Sequence, residues 1–225
     1  VQRRGGPGSQ HPPEDPLRVE LVRSVGRRFA RLATDVVVRN PRLWGLFRAG
    51  MRRQFDALAP NWDSMRLEGY LSAHERALDA VEGKPRRILD LGTGTGAAAL
   101  VAARRFPDAE VVGVDLSEQM LAEARRKTPP ELAARVRFEQ ADGSRLPYPD
   151  GFFDLVTLAN MIPFFDELAR VTAPGGSALF SFSAGPQTPI WVPPARLRSE
   201  LGRSGFTDFA EFHAGSGTAL LARRR

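Results

Sequence analysis

The stretch Ile88-Leu89-Asp90-Leu91-Gly92-Thr93-Gly94-Thr95-Gly96, running into Ala97-Ala98-Ala99-Leu100-Val101-Ala102-Ala103, decides how this chain is read. An apolar run holding one acid passes into alternating glycines and then into a helix-forming segment. Such a junction leaves backbone N–H groups uncovered at the helix start, and glycine lets a flat or anionic ligand come close to the main chain. Three alternate glycines weaken a strand-to-helix turn without structural return, so the pattern predicts a nucleotide-like ligand.

Two ligand types compete for the turn. Gly92, Gly94 and Ala97 satisfy the G-x-G-x-x-A dinucleotide pattern, and Asp115 lies near the offset of about 20 residues at which an acid grips a ribose. Asp90 opposes that choice, because a pyrophosphate over the turn would meet a carboxylate at the strand end. A ligand carrying a cationic amine and a sulfonium would be attracted instead.

Outward from this turn, strand and helix signals alternate from Arg87 to the end, as expected for a mostly parallel sheet with helices on both faces. Strands are predicted at Arg87 to Leu91, Glu110 to Val114, Val136 to Gln140, Phe153 to Ala159 and Ser177 to Ser183. Two β-rich segments, Asp208 to His213 and Thr218 to Ala222, flank Gly215-Ser216-Gly217 and are expected to pair antiparallel. Ahead of the turn lie three helices. The first carries Leu21, Val25, Phe29, Leu32 and Val36 at helical steps, the second Leu43 to Phe55, the third Tyr70 to Val81. Residues 1–16 read as a disordered tail, since Gly, Pro and charge leave nothing to bury.

Four signals stand in order: the Asp90 to Gly96 turn, Asp115 closing the second strand, Ala141-Asp142-Gly143 after the third, and Phe152-Phe153-Asp154-Leu155-Val156 with Ala173-Pro174-Gly175-Gly176 downstream. Each falls at or near the carboxyl end of a strand, where open α/β sheets bind ligands. In that order and spacing they resemble the class I S-adenosylmethionine-dependent methyltransferases over about Phe55 to Ala222. The resemblance implies an α/β, doubly wound, Rossmann-like fold with an antiparallel last strand. Residues 17–84 would form an N-terminal helical lid, and 85–225 the cofactor-binding domain. It implies S-adenosyl-L-methionine as cofactor, held by Asp90, Gly92, Thr93, Gly94, Gly96, Asp115, Leu116, Met120, Asp142, Gly143 and Asn160. In this scheme Asp115 takes both ribose hydroxyls and Asp142 the adenine amino group, while Asp154 and Pro174-Gly175-Gly176 are architectural.

Phe55 to Asp63 resembles the entry segment of small-molecule and quinone-type methyltransferases, which makes Trp62, Tyr70 and Trp191 candidates for lining the acceptor site. Asn160-Met161-Ile162-Pro163-Phe164 departs from the Asn-Pro-Pro-aromatic motif of enzymes acting on exocyclic amines. The expected activity is methyl transfer to a small organic acceptor at oxygen, nitrogen or carbon, with no obligatory catalytic triad.

Composition sets the outer bounds. The 225 residues are 42% hydrophobic and 26% charged, with a formal charge of +6 and no cysteine, so disulfides and thiolate chemistry are excluded. Three histidines offer no recognisable transition-metal cluster, and His74 and His213, the two outside the tail, read as structural. No segment reaches the roughly 20 apolar residues of a membrane span, and no apolar signal core opens the chain, so a cytoplasmic location is expected. The basic balance keeps an RNA methyltransferase as an alternative, although no RNA-binding module is evident and nucleic acid is not the expected partner. A non-catalytic nucleotide-binding protein is another. Peripheral membrane contact through the Leu17 to Gln54 helices is a third possibility.

Overall fold

The computed structural model describes residues 16–66 and 68–225, with side chains from residue 24 onward. Within these residues seven strands form one sheet: β1 (Arg87–Leu91), β2 (Glu110–Asp115), β3 (Val136–Gln140), β4 (Phe153–Ala159), β5 (Thr172–Phe182), β6 (Phe206–Ala214) and β7 (Gly217–Arg224). Their order is β3-β2-β1-β4-β5-β7-β6. The pairs β2–β3, β1–β2, β1–β4 and β4–β5 are parallel, and β7 runs antiparallel to both β5 and β6.

Strand periodicity sends alternate residues to opposite faces. Leu89, Leu91, Val112, Val114, Val156 and Leu158 pack with residues of α1 (Pro16–Arg39), α2 (Trp44–Leu58), α6 (Phe165–Val171) and α7 (Pro194–Arg203). Ile88, Val111, Leu155 and Leu179 pack on the other face with α3 (Ser72–Asp79), α4 (Ala97–Arg105) and α5 (Glu118–Lys127). The chain winds outward from β1 in both directions, so β1 and β4 form the topological switch point whose carboxyl ends open a crevice.

Two readings of the sequence need correction. Helix α1 exists, but its buried side is Ala30, Ala33, Thr34, Val37 and Val38, whereas Val25 is 58% and Leu32 55% exposed. Arg27 and Arg31 on its flank donate to the carbonyls of Gln187, Pro186 and Thr188, which fixes its rotation. Ala173-Pro174-Gly175-Gly176 does not precede β5 as a separate turn. It lies inside the strand, where the pairing with β4 jumps from Phe153–Thr172 to Leu155–Ser177. The tail reading falls outside the described residues except for Pro16, which opens α1.

Candidate cofactor site

At the end of β1 the chain turns through Gly92, Gly94 and Gly96, all with positive φ, and α4 follows. Two of these positions also lack room for a Cβ. One on Gly92 would come within 2.7 Å of Met161 Sδ, and one on Gly96 within 2.9 Å of both Ala124 Cβ and Phe138 Cζ. The loop is therefore wedged between α5, β3 and the segment after β4.

Asp90 lies beneath this loop. Its Oδ2 accepts from Thr93 Oγ1 at 2.7 Å and its Oδ1 from Thr157 Oγ1 at 2.9 Å, Thr157 being its register partner on β4. The carboxyl is wholly enclosed, and burial raises its pKa despite the two hydroxyl donors. Its oxygens are thus turned into the fold, and its charge reaches a ligand only through space.

Asp115 closes β2 and is placed differently. Its Oδ2 accepts the Gly94 N–H at 2.8 Å and its Oδ1 the Ser117 N–H at 2.9 Å. Burial pushes its pKa up to about 6 against the pull of these backbone donors. Each oxygen keeps a second lone pair, enough to accept from a vicinal diol. Leu116 follows on the rim, whereas the Met120 side chain is closed into the core and its N–H donates to Ser117 Oγ, the N-cap of α5.

Asp142 and Gly143 follow β3. Asp142 Oδ1 accepts from Trp44 Nε1 at 2.9 Å, from the Ser144 N–H at 2.9 Å and from Ser144 Oγ at 2.7 Å, while Oδ2 accepts from Arg48 at 3.0 Å. Burial would raise its pKa, but these donors hold it below the usual carboxylate value. Beside it lies a cavity of about 290 Å³ lined by Arg48, Ala49, Arg52, Leu116, Gln140, Ala141 and Asp142. Asn160, at φ 56°, ends β4 and is pinned to β5, its Oδ1 accepting the Ser183 N–H at 2.9 Å.

Sequence reasoning missed how the N-terminal helices meet these loops. Besides Trp44 and Arg48 on Asp142, Asp56 Oδ1 accepts from Ser117 Oγ at 2.6 Å. Asp63 accepts from Thr95 Oγ1 at 2.7 Å and from Lys127 Nζ at 2.5 Å. Each of the three cofactor motifs thus carries its own tether to residues 44–63. Trp62 is half-buried, edge-on to Phe55, and its Nε1 lies 3.6 Å from the Cβ position of Gly94. Arg66 stacks on the Tyr70 ring at 4.7 Å, bonds its hydroxyl, and pairs with Asp63 at 3.1 Å. Trp62 and Tyr70 are therefore brought together beside the loop, whereas Trp191 packs edge-on to Phe182 in a separate segment.

The two histidines do not join the site. His213 is exposed on β6. His74 is fully buried, with Nδ1 2.9 Å from Ser181 Oγ, and burial lowers its pKa to about 4. A histidine depressed from 6.5 leaves stability intact above pH 6.5 and removes it as the pH falls toward 4. The loss is about 3 kcal/mol. Urea unfolding at pH 7 and 4.5 should show the wild-type protein losing about 2 kcal/mol more stability between the two than His74→Gln does. Asp115 acts in the opposite sense, so the difference between the two proteins isolates the histidine.

A parallel sheet with a glycine-rich turn at its switch point, an acid closing β2 and another following β3, defines a nucleotide-cofactor-binding α/β domain. Residues 88–176 match the family described as methyltransferase domain. A demethylmenaquinone methyltransferase of Thermus thermophilus is 47% identical over 134 residues, covering 54% of this chain and 60% of that protein. A malonyl-[acyl-carrier protein] O-methyltransferase of Halorhodospira halophila is 40% identical over 147 residues, covering 61% of this chain and 49% of the relative. The chain therefore spans about half to three-fifths of the length of these curated relatives. The crystal structure of an S-adenosylmethionine-dependent methyltransferase from Aquifex aeolicus superposes with a TM-score of 0.61 at 18% identity, over 74% of this chain and 98% of that one. Residues 88–176 thus match a methyltransferase domain, and the sheet around them has the fold of a solved S-adenosylmethionine-dependent methyltransferase.

The residues present fit that cofactor. Asp115 offers diol acceptors beside the Gly94 amide, and the adjoining cavity combines the apolar walls of Leu116 and Ala141 with the Asp142 carboxylate. The enclosed Asp90 charge favours a cationic ligand over the loop.

Proposed function

We propose that this chain methylates a flat, hydroxylated aromatic acceptor of the quinol type, at a ring carbon or a phenolic oxygen. The observation that carries the reading is the cluster of Trp62, Arg66 and Tyr70 next to the Gly94 turn. Two aromatic faces suit a planar ring, and a guanidinium favours the phenolate form of an acceptor hydroxyl, which makes both the oxygen and the adjacent ring carbon nucleophilic.

S-adenosylmethionine, when bound, supplies a methyl group on a sulfonium that departs as a neutral thioether. In this scheme Asp115 holds the ribose, Asp142 with Leu116 and Ala141 receives the adenine, and the glycine turn takes the methionyl part. Residues 17–84 serve as the lid, with Trp62 and Tyr70 lining the acceptor side and Trp191 bordering it. Asp63, bonded to Arg66, Thr95 and Lys127, keeps the guanidinium at the loop. Alignment and exclusion of water then account for the rate of the transfer itself. At oxygen no further proton is lost from the phenolate, and at carbon the ring proton is lost to solvent after the C–S bond has broken, which restores the aromatic ring. The similarity to a demethylmenaquinone methyltransferase supports the acceptor class.

The test is turnover with isotope-labelled methyl donor and a short-chain demethylnaphthoquinol kept reduced, beside a malonyl thioester. Labelled naphthoquinol is the expected product. Transfer to the malonyl carboxylate alone would refute the acceptor class while preserving the methyltransferase.

A further inference from the structure

We propose that the outer face of α1 and α2 is a docking surface for anionic lipid. The two helices pack side by side: the Phe29 and Phe47 rings are 6.0 Å apart. A Cβ on Gly50 would sit 2.9 Å from Phe29, and one on Gly26 3.0 Å from Gln54. These pairs run in opposite chain directions, so Leu32 on α1 falls at the level of Leu46 on α2. Helical spacing puts Val25, Leu32 and Val36 on one stripe, turned away from Ala30, Ala33 and Val37. It likewise turns Leu46 and Arg53 away from Trp44 and Met51, the buried residues of α2. Leu46 is 78% exposed, more than either Val25 or Leu32.

The charge around this ridge identifies its occupant. Arg28, Arg39, Arg42 and Arg53 are exposed on it, and between residues 24 and 57 eight arginines face two aspartates, Asp35 and Asp56. Among the described residues no carboxylate pairs with those four, whereas Arg48 on the opposite flank is held by Asp142. Large apolar side chains framed by arginine on an amphipathic helix pair match the interface of a bilayer carrying negative headgroups. A second copy would set arginine against arginine. Arg27 and Arg31 of α1 also hold the carbonyls of 186–188, which ties the surface to the segment that leads to Trp191. Its use in delivering an acceptor rests on the quinol reading above; the binding itself does not.

The test is co-sedimentation of the full chain with phosphatidylcholine vesicles and with vesicles containing phosphatidylglycerol, over a salt series. Binding to the anionic vesicles, weakened by salt, is expected. It should fall about ten-fold or more in L32S/L46S and in R42E/R53E, with affinity for S-adenosylhomocysteine and turnover of a short-chain acceptor in solution unchanged. Absence of binding, equal binding to neutral vesicles, or binding untouched by both variants would overturn the proposal. So would self-association, or retention on an acidic carrier protein, that these substitutions abolish while vesicles are not bound. An unmodified chain that binds anionic vesicles but does not turn over the short-chain naphthoquinol would count against the quinol reading instead.

Discussion

Asp115→Asn is expected to weaken binding of S-adenosylhomocysteine roughly 10- to 100-fold, the equivalent of about 1.5–3 kcal/mol for a hydrogen bond to a charged group. Both oxygens of Asp115 accept backbone N–H groups, from Gly94 and from Ser117. An amide at this position turns one acceptor into a donor, facing a donor. The substitution therefore removes a diol acceptor and loosens the glycine turn together. Because the Asp115 carboxyl is pushed up to about 6, the wild-type affinity should hold above pH 7 and fall as the pH drops through 6. The fall should reach about ten-fold at pH 5, and Asp115→Asn should lose that dependence. Calorimetric titration across this range reads both effects, and an affinity indifferent to the substitution would remove Asp115 from the site.

Gly96→Ala is expected to cost about 2–5 kcal/mol of stability, combining a left-handed backbone penalty of about 1–2 kcal/mol with overpacking of about 1–3 kcal/mol. Gly96 has φ 84°, and its Cβ would press on Ala124 and on the ring of Phe138, both buried. Neither neighbour has room to retreat. Gly202 on α7 is the matched control, with nothing within 4 Å of its Cβ position and no positive φ. There alanine should be neutral or stabilise by about 0.4–1 kcal/mol. Urea unfolding of the two variants compares them directly, and equal effects would contradict the wedged-loop account.

What could be read from the chain was what lies close together along it. The β1 strand, its glycine turn and α4 are contiguous, and Asp115 is announced by the apolar run ending at Val114. The antiparallel β6–β7 pair was legible from the turn at Gly215 to Gly217. Contacts between distant segments were not. Trp44 reaches Asp142 across 98 residues and Asp56 reaches Ser117 across 61, with no local pattern to mark either partner. Asp90 suggested a carboxylate facing the ligand, but Thr157, contributed by another strand, draws it inward. On α1 the larger apolar residues drew attention to the wrong side, because the buried side is built on the small Ala30 and Ala33 with Thr34, Val37 and Val38.

A glycine turn flanked by acids is expected to accept a sulfur nucleoside in preference to a dinucleotide. Calorimetric titration of the unmodified chain with S-adenosylhomocysteine and, separately, with NADP tests this most directly. Saturable binding of the sulfur nucleoside with no heat from NADP is expected. Tight NADP binding with indifference to S-adenosylhomocysteine would contradict it.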